Sequence, residues 1–114
     1  MSRFESIGFR TIQSKVDKCV KFRELSALER EVFSRMAHPQ GEGDPQIRDS
    51  EFRSYVVAAL GCDQSGERWA SLSSPISREF EQVLAEIGEM PDSHLDALFN
   101  ESYPLLMGEE PEKK

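Results

Sequence analysis

Histidine and cysteine are scarce in this sequence, with two of each in 114 residues. The pairs His38 and His94, and Cys19 and Cys62, sit in no H-E-x-x-H, C-x-x-C or zinc-ligand spacing. A metal site built on them is therefore not expected. One disulfide is conceivable, but nothing in the spacing demands it, and two buried free thiols in a reducing compartment is the simpler reading. Also missing is an apolar run near the ~20 residues of a membrane helix. The first ten residues lack the apolar core of a signal peptide. Basic charge is in short supply as well. Lys and Arg number 14 against 21 Asp and Glu, for a net charge of −7. That sign argues against phosphate-led nucleic-acid binding and against an anionic membrane surface. The expectation is a cytoplasmic protein that uses neither nucleic acid nor membrane as a partner.

What is present is enough for one folded domain. Apolar residues are 38% and charged residues 31%, and seven of the ten aromatics are Phe. Phe buries a large apolar ring with no polar atom to satisfy, so a core is affordable here. A chain this short supports one modest core, and self-association would help it.

Hydrophobic spacing organises the rest. Residues 1–22 fit no single period, but Val20 and Phe22 alternate with Lys21 and Arg23. That region reads as an N-terminal arm, extended or folded as a short β-ribbon ending at Phe22. Residues 23–107 read as a helical domain, and residues 108–114 as a disordered polar tail. The first helix starts at a capping box, Ser26 with Glu29, places Leu28, Val32 and Met36 inward with Phe33 beside them, and stops near His38. Residues 39–46 form a loop. A second helix starts at Asp49 or Ser50, carries Phe52, Val56, Ala59 and Leu60 on one stripe widened by Tyr55 and Val57, and stops at Gly61. Asp63 to Gly66 is a turn, and Trp69 and Leu72 cover the core. The third helix has Ser74 as cap, Pro75 as first residue and an apolar face of Ile76, Phe80, Val83, Leu84 and Ile87. The fourth starts at Asp92 or Ser93, turns Leu95, Leu98 and Phe99 inward, and is ended or kinked by Pro104. The predicted fold is mainly α: one small domain of about four short amphipathic helices.

No constellation for catalysis appears. No serine sits in G-x-S-x-G. Gly41 and Gly43 precede Asp44-Pro45 rather than a lysine and a helix, so they make no phosphate loop. Pairs such as Glu79 with Glu81 lack calcium-loop spacing and read as solvated faces. A non-enzymatic binding protein without a cofactor is expected. Tyr103, Leu105, Leu106 and Met107 crowd the end of the domain. They either finish the core or, with Phe33 and Met36, form the candidate partner-binding residues. Completing the core is the plainer reading.

The order of these features resembles the tail assembly chaperones of long-tailed (siphovirus-type) bacteriophages. The resemblance rests on Val20-Lys21-Phe22-Arg23-Glu24-Leu25-Ser26-Ala27-Leu28-Glu29-Arg30-Glu31 entering the first helix. It continues with Tyr55-Val56-Val57-Ala58-Ala59-Leu60 closing the second, the turn Asp63-Gln64-Ser65-Gly66-Glu67-Arg68-Trp69, and the break Met90-Pro91-Asp92. It covers most of residues 20–107. Membership would imply binding of the long, helical tape measure protein, keeping it soluble in the bacterial cytoplasm, and absence from the mature virion. It would imply self-association, and a frameshifted longer form that recruits the tail tube protein. Glu112-Lys113-Lys114 is compatible with a slippery heptamer at the stop codon. The competing expectation is a small acidic inhibitor or immunity-type protein that binds a basic protein.

Overall fold

The computed structural model describes Arg3 and residues 8–37 and 47–108 of the chain. His38, the 39–46 loop and all of the polar tail beyond Gly108 lie outside the described residues, as do Phe4 and Ile7.

The alternation at Val20 and Phe22 becomes a strand. β1 (Thr11–Gln13) and β2 (Lys21–Arg23) are antiparallel, with Ile12 opposite Phe22. The Ser14 amide donates to Val20 C=O at 3.0 Å and the Glu24 amide to Arg10 C=O at 2.9 Å, which extends the ladder at both ends. Val20 and Phe22 share a face and are buried, as period two requires. The sheet has a third member that the sequence did not announce. β3 (Gly61–Cys62) pairs antiparallel with β2, giving the order β1-β2-β3. The ribbon is therefore joined through its second strand to the end of the second helix.

The helices are α1 (Ala27–Ala37), α2 (Phe52–Leu60), α3 (Arg78–Gly88) and α4 (Asp92–Leu106). The architecture is helix-rich, with four helices and a small antiparallel sheet. The capping box forms at α1: the Glu29 amide donates to Ser26 Oγ at 3.1 Å and the Ser26 amide to Glu29 Oε1 at 2.8 Å. The buried face of α1 is Phe33 and Met36, both expected inward, with Val32 packed against the core, but Leu28, expected with them, is 71% exposed. At about 100° per residue, Leu28 lies roughly 110° round the helix from the centre of that face. A 3-10 turn (Asp49–Glu51) leads into α2. From Tyr55 to Leu60 every residue of α2 is buried, so it is the central helix rather than a one-sided one. It packs most extensively against α4 and next against α3.

Two helix boundaries differ from the sequence reading. α3 begins at Arg78, because Ser77 rather than Ser74 supplies the cap: its Oγ accepts the Phe80 amide at 3.1 Å. Capping there brings Phe80 into the core while Ser74 and Pro75 stay outside on the surface. α4 does not end at Pro104 but runs through it to Leu106. A proline inside a helix costs about 3 kcal/mol. Burial of Leu105 and Leu106, at roughly 1.5–3 kcal/mol each, offsets that cost. The Arg30 guanidinium also donates to the Leu106 carbonyl, which satisfies an orphan acceptor at the helix C-terminus.

The loop of the β1–β2 ribbon is tied to α4. Glu101 accepts Ser14 Oγ–H at 2.6 Å through one oxygen and the Lys15 amide at 2.8 Å through the other. His94 Nε2 lies 3.2 Å from Asp17 Oδ2. Asp17 is held below its ordinary value, first by the Cys19 amide and then by His94. Cys19 and Cys62 are both free thiols, but only Cys62 is buried; Cys19 is exposed because it sits in this loop. Burial pushes the Cys62 thiol up.

Candidate partner-binding site

The six candidate partner-binding residues do not form one surface. Phe33, Met36, Leu105 and Leu106 are buried in the core. Tyr103, at 36% exposure, and Met107, at 51%, reach solvent near the C-terminal end of α4. Tyr103 is the outer member of a ring cluster. Its centroid is 5.1 Å from Phe99 and 6.3 Å from Phe52, and Phe52 in turn meets Phe33 edge-on at 6.1 Å. Such edge and tilted geometries are the favourable ones. The cluster joins α1, α2 and α4, with Phe33 buried, Phe52 and Phe99 half-buried and Tyr103 at its outer edge.

The described residues contain no group of three or more His, Cys, Asp or Glu placed to hold a metal ion. No helix among them is long and apolar enough to cross a membrane. Their most elaborate polar arrangement centres on Arg68, whose side chain is 9% exposed. All five guanidinium N–H groups find acceptors. Nε–H donates to Glu29 Oε2 at 3.2 Å, and Nη2 to Glu29 Oε1 and Glu24 C=O, each at 2.8 Å. Nη1 donates to Arg23 C=O at 2.9 Å and Leu60 C=O at 3.1 Å. Arg68 thus joins β2, the start of α1 and the end of α2. Burial alone would push Glu29 up, but Arg68, the Ser26 amide and the nearby Arg23 charge outweigh it and hold the carboxyl below its ordinary value. Sequence reading missed Arg68 because an arginine in a polar turn looks like a solvated charge.

The turn before Arg68 fixes its position. Asp63 Oδ1 accepts the Ser65 hydroxyl and amide and the Glu67 amide. Gly66 takes a φ of 91°, which an L side chain rarely adopts. The chain then returns beside β3 through a bridge between Cys62 and Arg68. Trp69 follows and lays its indole on Gly61, where an added Cβ would lie 2.1 Å from Trp69 Cζ3. Gly61 ends α2, as the sequence reading has it, but not in the left-handed conformation common for a glycine there. It is instead extended, at φ −66° and ψ 147°, and its missing side chain is what lets the ring approach.

The outer side of Trp69 forms one wall of an open groove of about 430 Å³. The opposite wall is α3 and the turn after it, with Val83, the buried Ile87 and, just past the helix end, Met90 on the apolar side and Glu79, Gln82 and Glu86 along the edge. Trp69 was expected to cover the core, and it does pack against it. The sequence carried the other half as a signal. Glu79, Gln82 and Glu86 run i, i+3, i+7 on α3 beside Val83 and Ile87 at i, i+4, and Met90 follows just past the helix end. No family model matches the chain, and neither does any curated protein or solved structure.

Proposed function

We propose that this protein is a bacteriophage tail assembly chaperone that binds the tape measure protein, keeps it soluble and helps to bring in the tail tube protein. It acts by binding, not catalysis. It works in the cytoplasm of the bacterial host and is left out of the mature virion. The observation that carries the reading is the open apolar groove between Trp69 and α3, on a small acidic domain. A chaperone for a long helical chain needs apolar surface that stays exposed, and enough charge to keep the complex dissolved. The segments that resemble the family also carry the main structural joints. The capping box opens α1, the run Tyr55 to Leu60 is the central helix, and the Asp63–Gly66 turn sets Arg68 and Trp69. Several weak copies along one long chain would gain from multivalency, and self-association would add to this.

The acidic groove edge and the −7 net charge also favour a second reading, a small inhibitor or immunity-type protein for a basic target. One experiment separates the two. The protein is co-expressed with the long helix-rich product of the same gene cluster, and solubility and co-purification are scored. A soluble long protein carrying several copies of this one is the expected result. An insoluble one with nothing co-purifying would remove the chaperone reading and leave the inhibitor. Light scattering at high concentration checks self-association, and a sharp monomer would count against it.

A further inference from the structure

We infer that the Trp69–α3 groove is a seat for an amphipathic helix that carries Lys or Arg along one edge of its apolar stripe. The inference rests on the helical-partner reading above and adds where the partner binds and what its sequence must look like.

Three observations lead there. The groove runs along α3 from Glu79 to Ile87 and closes at Met90 just beyond the helix. At 1.5 Å per residue that helical stretch is about 12 Å, just over two turns, the reach of apolar side chains at i, i+3 or i+4, and i+7 on a partner helix. Its apolar lining comes from two elements, Trp69 on one side and Val83, Ile87 and Met90 on the other, so it is concave rather than a flat patch. Its charged lining is of one sign. Glu79 and Glu86 are exposed, and neither side chain takes part in the ion pairs and hydrogen bonds of the described residues. No lysine or arginine lines the groove. Two carboxylates about two turns apart on an apolar trough call for cationic donors beside an apolar stripe. A small-molecule site would instead draw converging polar groups from several elements and enclose its ligand.

Trp69 is the only tryptophan, so it reports on its own site. The probe is a synthetic, tryptophan-free peptide of about 18 residues with leucines at i, i+3, i+4 and i+7 and lysines beside them. Two controls accompany it: the same peptide with glutamates in place of the lysines, and a scrambled one of equal composition. The lysine peptide should shift Trp69 emission to the blue, while the scrambled peptide should not. The double substitution Glu79→Lys with Glu86→Lys, both at exposed positions, should weaken the lysine peptide about ten-fold at low salt and reverse the preference toward the glutamate peptide. An absent shift, equal binding of the two charged peptides, or an unchanged affinity in the double variant would each overturn the inference. Co-expression keeps the two readings apart. If the double variant still solubilises the long protein to the same degree, the chaperone reading stands and the groove is not its seat. If the lysine peptide binds in the groove as described but no long protein is solubilised, the groove stands and the chaperone reading falls.

Discussion

Replacing Arg68 with alanine should be the most damaging single surface-loop substitution in this protein. The side chain is 9% exposed and its five N–H groups serve Glu29 and the carbonyls of Arg23, Glu24 and Leu60. Alanine leaves Glu29, whose side chain is 20% exposed, as a carboxylate hydrogen-bonded to the Ser26 amide, with the Arg23 charge nearby but no paired guanidinium. Removing one partner of a buried ion pair costs about 3–5 kcal/mol. Each carbonyl left short of a donor adds up to about 1 kcal/mol, less where water reaches it. A total near 4 kcal/mol is a large part of the roughly 6–17 kcal/mol available to a domain this size. At about 4 °C per kcal/mol, the melting temperature should fall by roughly 15 °C. Thermal unfolding followed by far-UV circular dichroism measures it, so that a change at Trp69 does not enter the readout. Arg68→Lys keeps the charge but not the planar fork, and should recover less than half of the loss. A double-mutant cycle with Glu29→Gln should show a coupling of at least about 1 kcal/mol. A drop of under about 2 °C for Arg68→Ala is within the range of ordinary surface changes and would refute the reasoning.

Other perturbations have equally definite outcomes. Gly61→Ala drives a methyl into the Trp69 ring, since the added carbon would sit 2.1 Å from Cζ3; about 1–3 kcal/mol of destabilisation and a red shift of Trp69 emission should follow, and unchanged emission would mean the ring does not rest there. Glu101→Ala removes the acceptor of Ser14 and Lys15; the amides of Lys15, Val16 and Asp17 should exchange roughly ten- to hundred-fold faster while those of α2 do not change. The carboxyls of Asp17, Glu24 and Glu29 are all held below their ordinary values of 3.8 and 4.5. Lowered values mean the unfolded chain takes up protons first, so the stability they confer is complete above about pH 5 and is lost as pH falls through the folded values; urea titrations from pH 7 down to 3 should show the midpoint falling only in the acid range. Cys19 should react with a thiol reagent at the rate of an exposed group, while buried Cys62 should react only on unfolding.

Local signals in the sequence were legible where a short stretch settles its own conformation. Ser26 and Glu29 cap α1 by contacts three residues apart, and the Val20–Phe22 alternation needs only its own strand. Distant contacts hid the remainder. β3 is two residues long, too short for any period, and exists because Phe22, some forty positions earlier, pairs with Gly61. Ser74 before Pro75 reads as the cap of the third helix, but the cap falls to Ser77, which lets Phe80 enter the core. Leu28 fits a helical stripe on paper but lies off the face that tertiary packing selected. The candidate site was half legible. Trp69 was expected on the core, yet its second face becomes a groove wall only when α3 is brought opposite. Met36, Phe33, Leu105 and Leu106 were read with two options open, and the core took all four.

The joint that closes the core and the groove that opens on the surface share one segment. Arg68 is held by β2, α1 and α2, and the next residue is Trp69. The indole is thereby pinned on one side by Gly61 and free on the other. An aromatic wall that is already fixed loses little conformational freedom when a partner arrives, which favours binding at a given contact area. Stability and binding should therefore be coupled in one direction. Arg68→Lys ought to weaken a groove ligand more than its loss of global stability predicts, because it loosens the wall itself. Glu29→Gln keeps a hydrogen-bonding acceptor for Arg68 and should weaken that ligand less than Arg68→Lys does. Glu101→Ala acts at the ribbon loop on α4, shares none of these partners, and should leave groove affinity unchanged while freeing the loop. Affinity losses that merely track each variant's loss of global stability would mean that the groove responds only to overall stability, and that Arg68 does not set the wall.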